Sequence, residues 1–504
     1  MTPAPRRPLD RLRDQLRISR ERLTFNYGAA KTVPSRALAE AAISAATGPT
    51  FSTAPYAEPR DWGYAGLLAF TTVVMMRPQD QISGLEALHI ADICAVIAVV
   101  PMLLHRFARR LPVFRITAEI VGLFALGAVL LATVPFSIWP GGALATVTDS
   151  YLKALIVFIL MMNTLTTPAR LSQITWLILL CMGYVATLGV IDYARGVNLL
   201  EGSGRLTGAV NGIFGNPNDL ALTMVTFLPP AIVIALSRHD SIEKRLSAAG
   251  IAALMLATIV LTKSRGGMLG LVAELIVLVL MGGKVRRGFP AILVGVLLLA
   301  SPFAPSSFWS RMNSIVDEEQ DAREFTGSRE ARRILMQEGI NVFLERPFTG
   351  VGAGQFQNYN PPGRREPWRE THNALIQVAS ETGIFGLLAF SFLIVRCAMA
   401  AVATRRMLWR AARSSTAAVD LVLPASDRKS LYAHTTAMTA SLAGWFVGAM
   451  FDSVAYGWTF YYLLALVMAA RELTGDRLAA AQILTAGRSK GAVQGGRAHG
   501  SVGI

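Results

Sequence analysis

Apolar runs long enough to cross a bilayer recur along most of this chain, and no other feature restricts its fold so strongly. A spanning helix needs about 20 predominantly apolar residues. Counting runs of about 17 or more residues, with tilt allowed, gives about twelve spans. Nine fall between residues 62 and 305 and three between 372 and 470. Of the 504 residues 53% are hydrophobic and only 16% charged, whereas soluble domains carry ~25% charged residues. The expected fold is all-α: a polytopic integral membrane protein of about 12 transmembrane helices with one large periplasmic loop containing short helices. In this scheme residues 1–61 are an Arg-rich cytoplasmic tail and 62–305 hold helices one to nine. Residues 306–371 are the large loop, 372–470 hold helices ten to twelve, and 471–504, rich in Ala and Gly, form a disordered cytoplasmic tail.

The net charge is +15, and 41 of the 48 basic residues are Arg. Most of the surplus flanks apolar runs, which is the pattern of a positive-inside bias and not of a nucleic-acid surface. If the first tail is cytoplasmic, every even-numbered gap between spans should be cytoplasmic too. Those gaps hold Arg106/Arg109/Arg110, Arg170, Arg238/Lys244/Arg245, Lys284/Arg286/Arg287 and Arg405/Arg406/Arg410/Arg413, as the parity requires. The odd gaps then face outward. The large one, 306–371, carries nine Arg and ten acidic residues. Within it, SREARRILMQEGINVFLE at 328–345 places Ile334, Leu335, Ile340, Val342 and Phe343 at helical spacing and predicts an amphipathic helix near the membrane face. Arg6 to Arg22 lie far from any apolar run, unlike the charged region of a cleaved signal peptide. Cys94, Cys181 and Cys397 sit inside apolar runs without metal-type spacing, so neither a disulfide framework nor a zinc site is expected.

Three polar strings interrupt the apolar pattern in odd gaps: GSGRLTGAVNGIFGNPND at 202–219, TKSRGG at 262–267, and the end of the large loop, ETHN at 370–373. All three meet the same membrane face. In the first, Asn216-Pro217 predicts a capped helix start. An outward helix N-terminus with Arg205 upstream is also an anion site, and cap and phosphate readings stand side by side. Arg265, followed by Gly266-Gly267, reads either as an interface anchor or as a ligand for an anion. His372 reads as a capping or interface histidine, or as a general base, since a neutral imidazole near pH 7 suits that work. Eleven residues on from His372, Gly383 returns to the same face of a continuous helix, so Gly383 and Gly386 are expected to let another helix pack beneath the imidazole.

Taken in order, RLTGAVNGIFGNPNDLA, TKSRGGML, ERPFTGVGAGQF and HNALIQVASETGIFG make residues 200–400 resemble the bacterial O-antigen ligase family. RPQDQISGLEALHIAD nearer the start is similar to an O-glycosylation ligase subgroup. Arg333 departs from the pattern, which implies an aromatic residue there. The resemblance implies transfer of a glycan from undecaprenyl diphosphate to an acceptor hydroxyl, on lipid A core, another lipid or a protein. It places the reaction at the periplasmic face of the bacterial inner membrane, with inversion. His372, Arg265 and Arg205 would be catalytic; Asn216, Asn218, Arg329 and Arg332 would bind the donor. The donor is already activated, and no Walker or nucleotide-sugar string is present, so no cofactor is expected. Polymerisation of O-antigen or exopolysaccharide is the alternative within this chemistry, and secondary transport is the alternative outside it. The acidic run Asp317-Glu318-Glu319-Gln320-Asp321 reads as solvated surface, with divalent-metal binding as the competing reading.

Overall fold

The computed structural model describes residues 61–78, 90–108, 110, 112, 116–208, 214–281, 306–313 and 328–498, with backbone alone at 307, 328–329 and 487–498. Almost all of this is helix. In chain order the helices are α1 (Trp62–Met76), α2 (Ile90–Ala108), α3 (Ala118–Thr133), α4 (Pro140–Ala145), α5 (Leu152–Thr164) and α6 (Pro168–Arg195). A two-stranded hairpin, β1 (Leu199–Leu200) and β2 (Arg205–Leu206), precedes α7 (Pro217–Ala235), α8 (Ile242–Leu261) and α9 (Arg265–Met281). Then come α10 (Ser306–Asn313), α11 (Ser328–Glu345), α12 (Ala374–Arg413), α13 (Ala417–Val422), α14 (Ala425–Ala449) and α15 (Trp458–Ala498).

Among the described residues seven helical stretches are long and apolar enough to cross a membrane: Ile90–Ala108, Ala118–Phe136, Pro140–Thr164, Pro168–Arg195, Pro217–Ala235, Ile242–Leu261 and Ala374–Arg413. A π-turn at Thr146–Tyr151 joins α4 to α5 within the third of them. Helix α1 is apolar but shorter. Helices α9, α14 and α15 also coincide with apolar runs in the sequence. The expected span at 288–305 lies outside the described residues, as do residues 1–60 and the acidic run at 317–321.

Side-chain caps set several of the helix starts. Thr117, Thr167 and Ser241 each accept a hydrogen bond from a backbone N–H three residues on, and Pro168 and Pro217 occupy first-turn positions where no donor is needed. The outer surface is apolar: on α2, Ile93, Val96, Leu104 and Phe107 are all exposed, as suits a helix solvated by lipid. The interior uses close helix contacts. A Cβ added at Gly270 on α9 would come within 2.7 Å of the Gly444 carbonyl on α14, so small residues bring these backbones together. Trp445 stacks on Phe460 with centroids 4.5 Å apart and ties α14 to α15. The buried Glu119 on α3 accepts from Arg396 Nε on α12 at 2.8 Å and from Arg471 on α15 at 3.2 Å, which pairs a carboxylate that would be costly alone.

One expectation is corrected. The stretch after Arg471 is helix as far as Ala498 and not a disordered tail. Its alanines favour helix, and Leu473, Ala480 and Ala481 are buried while Arg477 bonds to the Val422 carbonyl at 2.9 Å. The helix expected at 328–345 forms, and its apolar face packs on protein: Leu335 and Val342 cluster with Val351 and Phe356, and Gly339 lies against Ile376.

Candidate functional site

The site is assembled around the turn Thr262–Ser264 between α8 and α9. The last carbonyls of a helix have no intrahelical donors, and here guanidinium groups supply them. Arg205 Nε donates to the Thr262 carbonyl at 2.9 Å and Arg311 Nε to the Lys263 carbonyl at 3.0 Å. Ser264 Oγ accepts from Gly267 N at 3.2 Å, capping α9, and donates to Asn218 Oδ1 at 2.9 Å. Asn218 Oδ1 also accepts from Arg205 Nη2 at 2.7 Å. Asn216 caps α7 through Asn218 N at 2.9 Å. Arg205 is held from behind by the hairpin, whose turn residues Gly202 and Gly204 have φ of +73° and +54°, conformations open to glycine.

His372 stands at the opposite wall. Its φ is +50°, its N–H donates to Ser453 Oγ at 3.0 Å, and Thr371 Oγ1 lies 3.1 Å from the same hydroxyl. The next residue, Asn373, caps α12 by accepting from Leu375 N and Ile376 N at 3.0 and 3.1 Å. His372 is therefore not itself the cap. Helix α12 breaks at Gly383, whose φ and ψ are 68° and −163°. The expectation that Gly383 lies on the face beneath the imidazole fails, because it assumed one uninterrupted helix. A Cβ on Gly383 would instead meet the Pro347 and Phe348 backbone at 2.6 Å. The loop around Val351–Phe356 clasps the C-terminal end of this short first segment. Val351 N donates to the Ser380 carbonyl at 3.0 Å and Gly352 N to the Glu381 carbonyl at 2.8 Å. The buried Glu381 side chain accepts from Gly354 N at 2.8 Å and Phe356 N at 3.4 Å. That is the structural content of the GVGAGQF and ETG strings.

Between these walls lies a cavity of about 330 Å³, lined by Arg205, Asn216, Asn218, Arg311, Arg332, Arg369 and His372 among others. Its charge is concentrated. Burial, followed by repulsion from Arg311, Arg332 and Arg265, lowers Arg205 to about 9, with Asp452 opposing. Burial and then Arg332, Arg369 and Arg205 lower His372 to about 4, so its imidazole is neutral at pH 7. His372 Nδ1 is buried and has no hydrogen-bond partner among the described residues. Burial pushes the neighbouring Asp452 carboxyl up. Guanidiniums crowded in this way favour a polyvalent anion, and planar forks suit phosphate oxygens.

Five of the seven residues singled out from sequence, Arg205, Asn216, Asn218, Arg332 and His372, line this one cavity. Arg265 is buried at the start of α9 and repels Arg205, but it does not line the cavity. The side chain of Arg329 lies outside the described residues. Sequence reasoning missed Arg311, Arg369, Ser453 and Asp452. The Asp452-Ser453 pair had one usable signal, a polar doublet in a short gap between two apolar runs.

Membrane-length helices here gather guanidiniums and a neutral imidazole around one cavity. Residues 250–391 match the O-antigen ligase family model, so this part of the chain is similar to that family. That stretch includes Arg265, Arg311, Arg332, Arg369 and His372; Arg205, Asn216 and Asn218 precede it. No curated protein matches the chain.

Proposed function

We propose that this protein is an O-antigen ligase-like glycosyltransferase that moves a glycan from undecaprenyl diphosphate to an acceptor hydroxyl at the periplasmic face of the inner membrane. The observation that carries the reading is one cavity lined by Arg205, Arg311, Arg332, Arg369 and a neutral His372. The guanidiniums hold the pyrophosphate. His372 takes the proton of the acceptor hydroxyl as its oxygen attacks the anomeric carbon. The bond from that carbon to phosphate oxygen breaks, its electron pair leaves with undecaprenyl diphosphate, and the configuration inverts. The arginines stabilise the charge that develops on the leaving group. About twelve spans, with the large loop outward, complete the reading, supported by the cationic gaps.

Deletion of the protein should leave long polymer on the polyprenyl carrier together with unmodified acceptor, measured by extracting and sizing lipid-linked glycans. Accumulation of single repeat units would make it a polymerase. An unchanged lipid-linked pool would count against both.

Arg205→Lys keeps the charge but gives up the bonds to Thr262 and Asn218. With charge-assisted bonds contributing about 1.5–3 kcal/mol each, transfer should fall about 10²- to 10⁴-fold. Arg265→Lys should fall less, since its effect reaches the cavity through the field on Arg205. Comparing purified variants at matched donor concentration tests the order, and an unaffected Arg205→Lys enzyme would remove Arg205 from the phosphate site.

A further inference from the structure

Beyond the break at Gly383, α12 carries an exposed stripe that runs away from His372. Phe385, Leu388, Phe392, Val395, Met399 and Val402 follow one another at alternating steps of three and four residues, which keeps them on one helix face. Each is exposed among the described residues. From Phe385 to Val402 the helix rises about 26 Å, close to the ~30 Å thickness of a hydrocarbon core. This part of the stripe suits acyl chains.

The same spacing then continues with a change of chemistry. Arg406, Trp409 and Arg413 are its next members and Arg410 sits beside them; all four are exposed among the described residues. The Arg413 guanidinium lies 4.3 Å over the centre of the Trp409 ring, and Trp favours the headgroup layer of a bilayer. No Asp or Glu occurs between Ile384 and Arg413. The other arginines of that segment are committed to protein, Arg396 to Glu119 and Arg405 to the Met281 carbonyl and the Tyr432 hydroxyl. Arg406, Arg410 and Arg413 instead face the layer where lipid phosphates lie. Three-and-four spacing is also the seam of a helix pair. A second copy packed in parallel on this seam would set Arg406 and Arg413 against their own equivalents, so charge disfavours that occupant and favours a phosphate.

We propose that Arg406, Arg410 and Arg413, with Trp409, bind the headgroup of an anionic phospholipid whose acyl chains lie along the stripe from Val402 toward Phe385. Guanidinium forks donate in pairs to phosphate oxygens. A zwitterionic headgroup carries its own cation and gains less from them. The site lies at the end of α12 remote from His372 and does not depend on the transfer chemistry proposed above.

The test titrates the delipidated full chain in neutral detergent with phosphatidylglycerol or phosphatidylcholine and counts bound lipid by native mass spectrometry. The wild type should retain phosphatidylglycerol in preference to phosphatidylcholine. At about fivefold for each arginine, Arg406→Gln/Arg410→Gln should weaken phosphatidylglycerol binding about 25-fold and leave phosphatidylcholine unchanged. The control Arg238→Gln/Lys244→Gln removes two exposed cations from another gap and should keep the preference. A wild type without preference, or a preference that the α12 variant retains, overturns the site. Equal losses in both variants overturn it as well, because they would show diffuse attraction to net charge. Dimers in the same spectra that carry no phosphatidylglycerol would give the face to a second copy instead.

Discussion

His372→Asn should remove transfer almost completely while the protein still inserts, purifies as a single species and binds pyrophosphate. A positioned general base contributes about 10²- to 10⁴-fold, and a carboxamide cannot replace it. Asn is the informative replacement because the backbone here has φ of +50°, which Asn tolerates better than most residues. The N–H bond to Ser453 needs only the backbone and should persist. The wild type should also show an unusual pH profile. A base works in its neutral form, and burial with Arg332, Arg369 and Arg205 lowers His372 to about 4. The acid limb of kcat/KM, which reports the free enzyme, should therefore fall well below the ordinary imidazole range of about 6.5. Bound pyrophosphate neutralises those arginines, so the acid limb of kcat should move upward toward that range. Near-normal transfer by the Asn variant would assign the proton to another group.

Glu381→Ala should be among the most damaging single changes outside the cavity that holds His372. It removes the acceptor for Gly354 N and Phe356 N and leaves those donors under-satisfied beside a buried loop. At about 1–3 kcal/mol for each stranded group, the cost is on the order of 2–6 kcal/mol. Loss of the clasp frees the short helix that carries Asn373 and His372 at its start. Proteolysis within 346–360 should quicken, and thermal unfolding in detergent should begin earlier. An equally protected loop in the variant would show that the backbone bonds from Val351 and Gly352 suffice.

Much of this was legible in the sequence because the solvent imposes it. Apolar runs located the helices between Trp62 and Leu261 to within about six residues at their ends, and Asn216-Pro217 announced the start of α7. Charge counting was less informative. Nine arginines populate 306–371, and nothing in their spacing tells that Arg311 reaches back to the Lys263 carbonyl while Arg333 stays exposed. The pairing of Arg205 with Asn218 needs a hairpin that brings residue 205 against a helix start 13 positions away. The break at Gly383 was hidden because two glycines in an apolar stretch read equally well as a packing face and as a stop. What decides is the loop backbone pressed against Gly383, a contact that only the folded chain contains.

The same break separates the mechanics of the site from those of the bilayer. Residues 374–382 form a short rigid peg, fixed at one end by Asn373 and Ser453 and gripped at the other by the Val351–Phe356 loop. The long helix beyond Gly383 joins this peg through a joint and not through a continuous hydrogen-bonded rod. A tilt of that helix with lipid thickness would therefore be borne at Gly383, where Ile384 N also bonds to the Pro347 carbonyl at 2.7 Å. Tilt of the long helix is thereby separated from the position of the imidazole against the arginines.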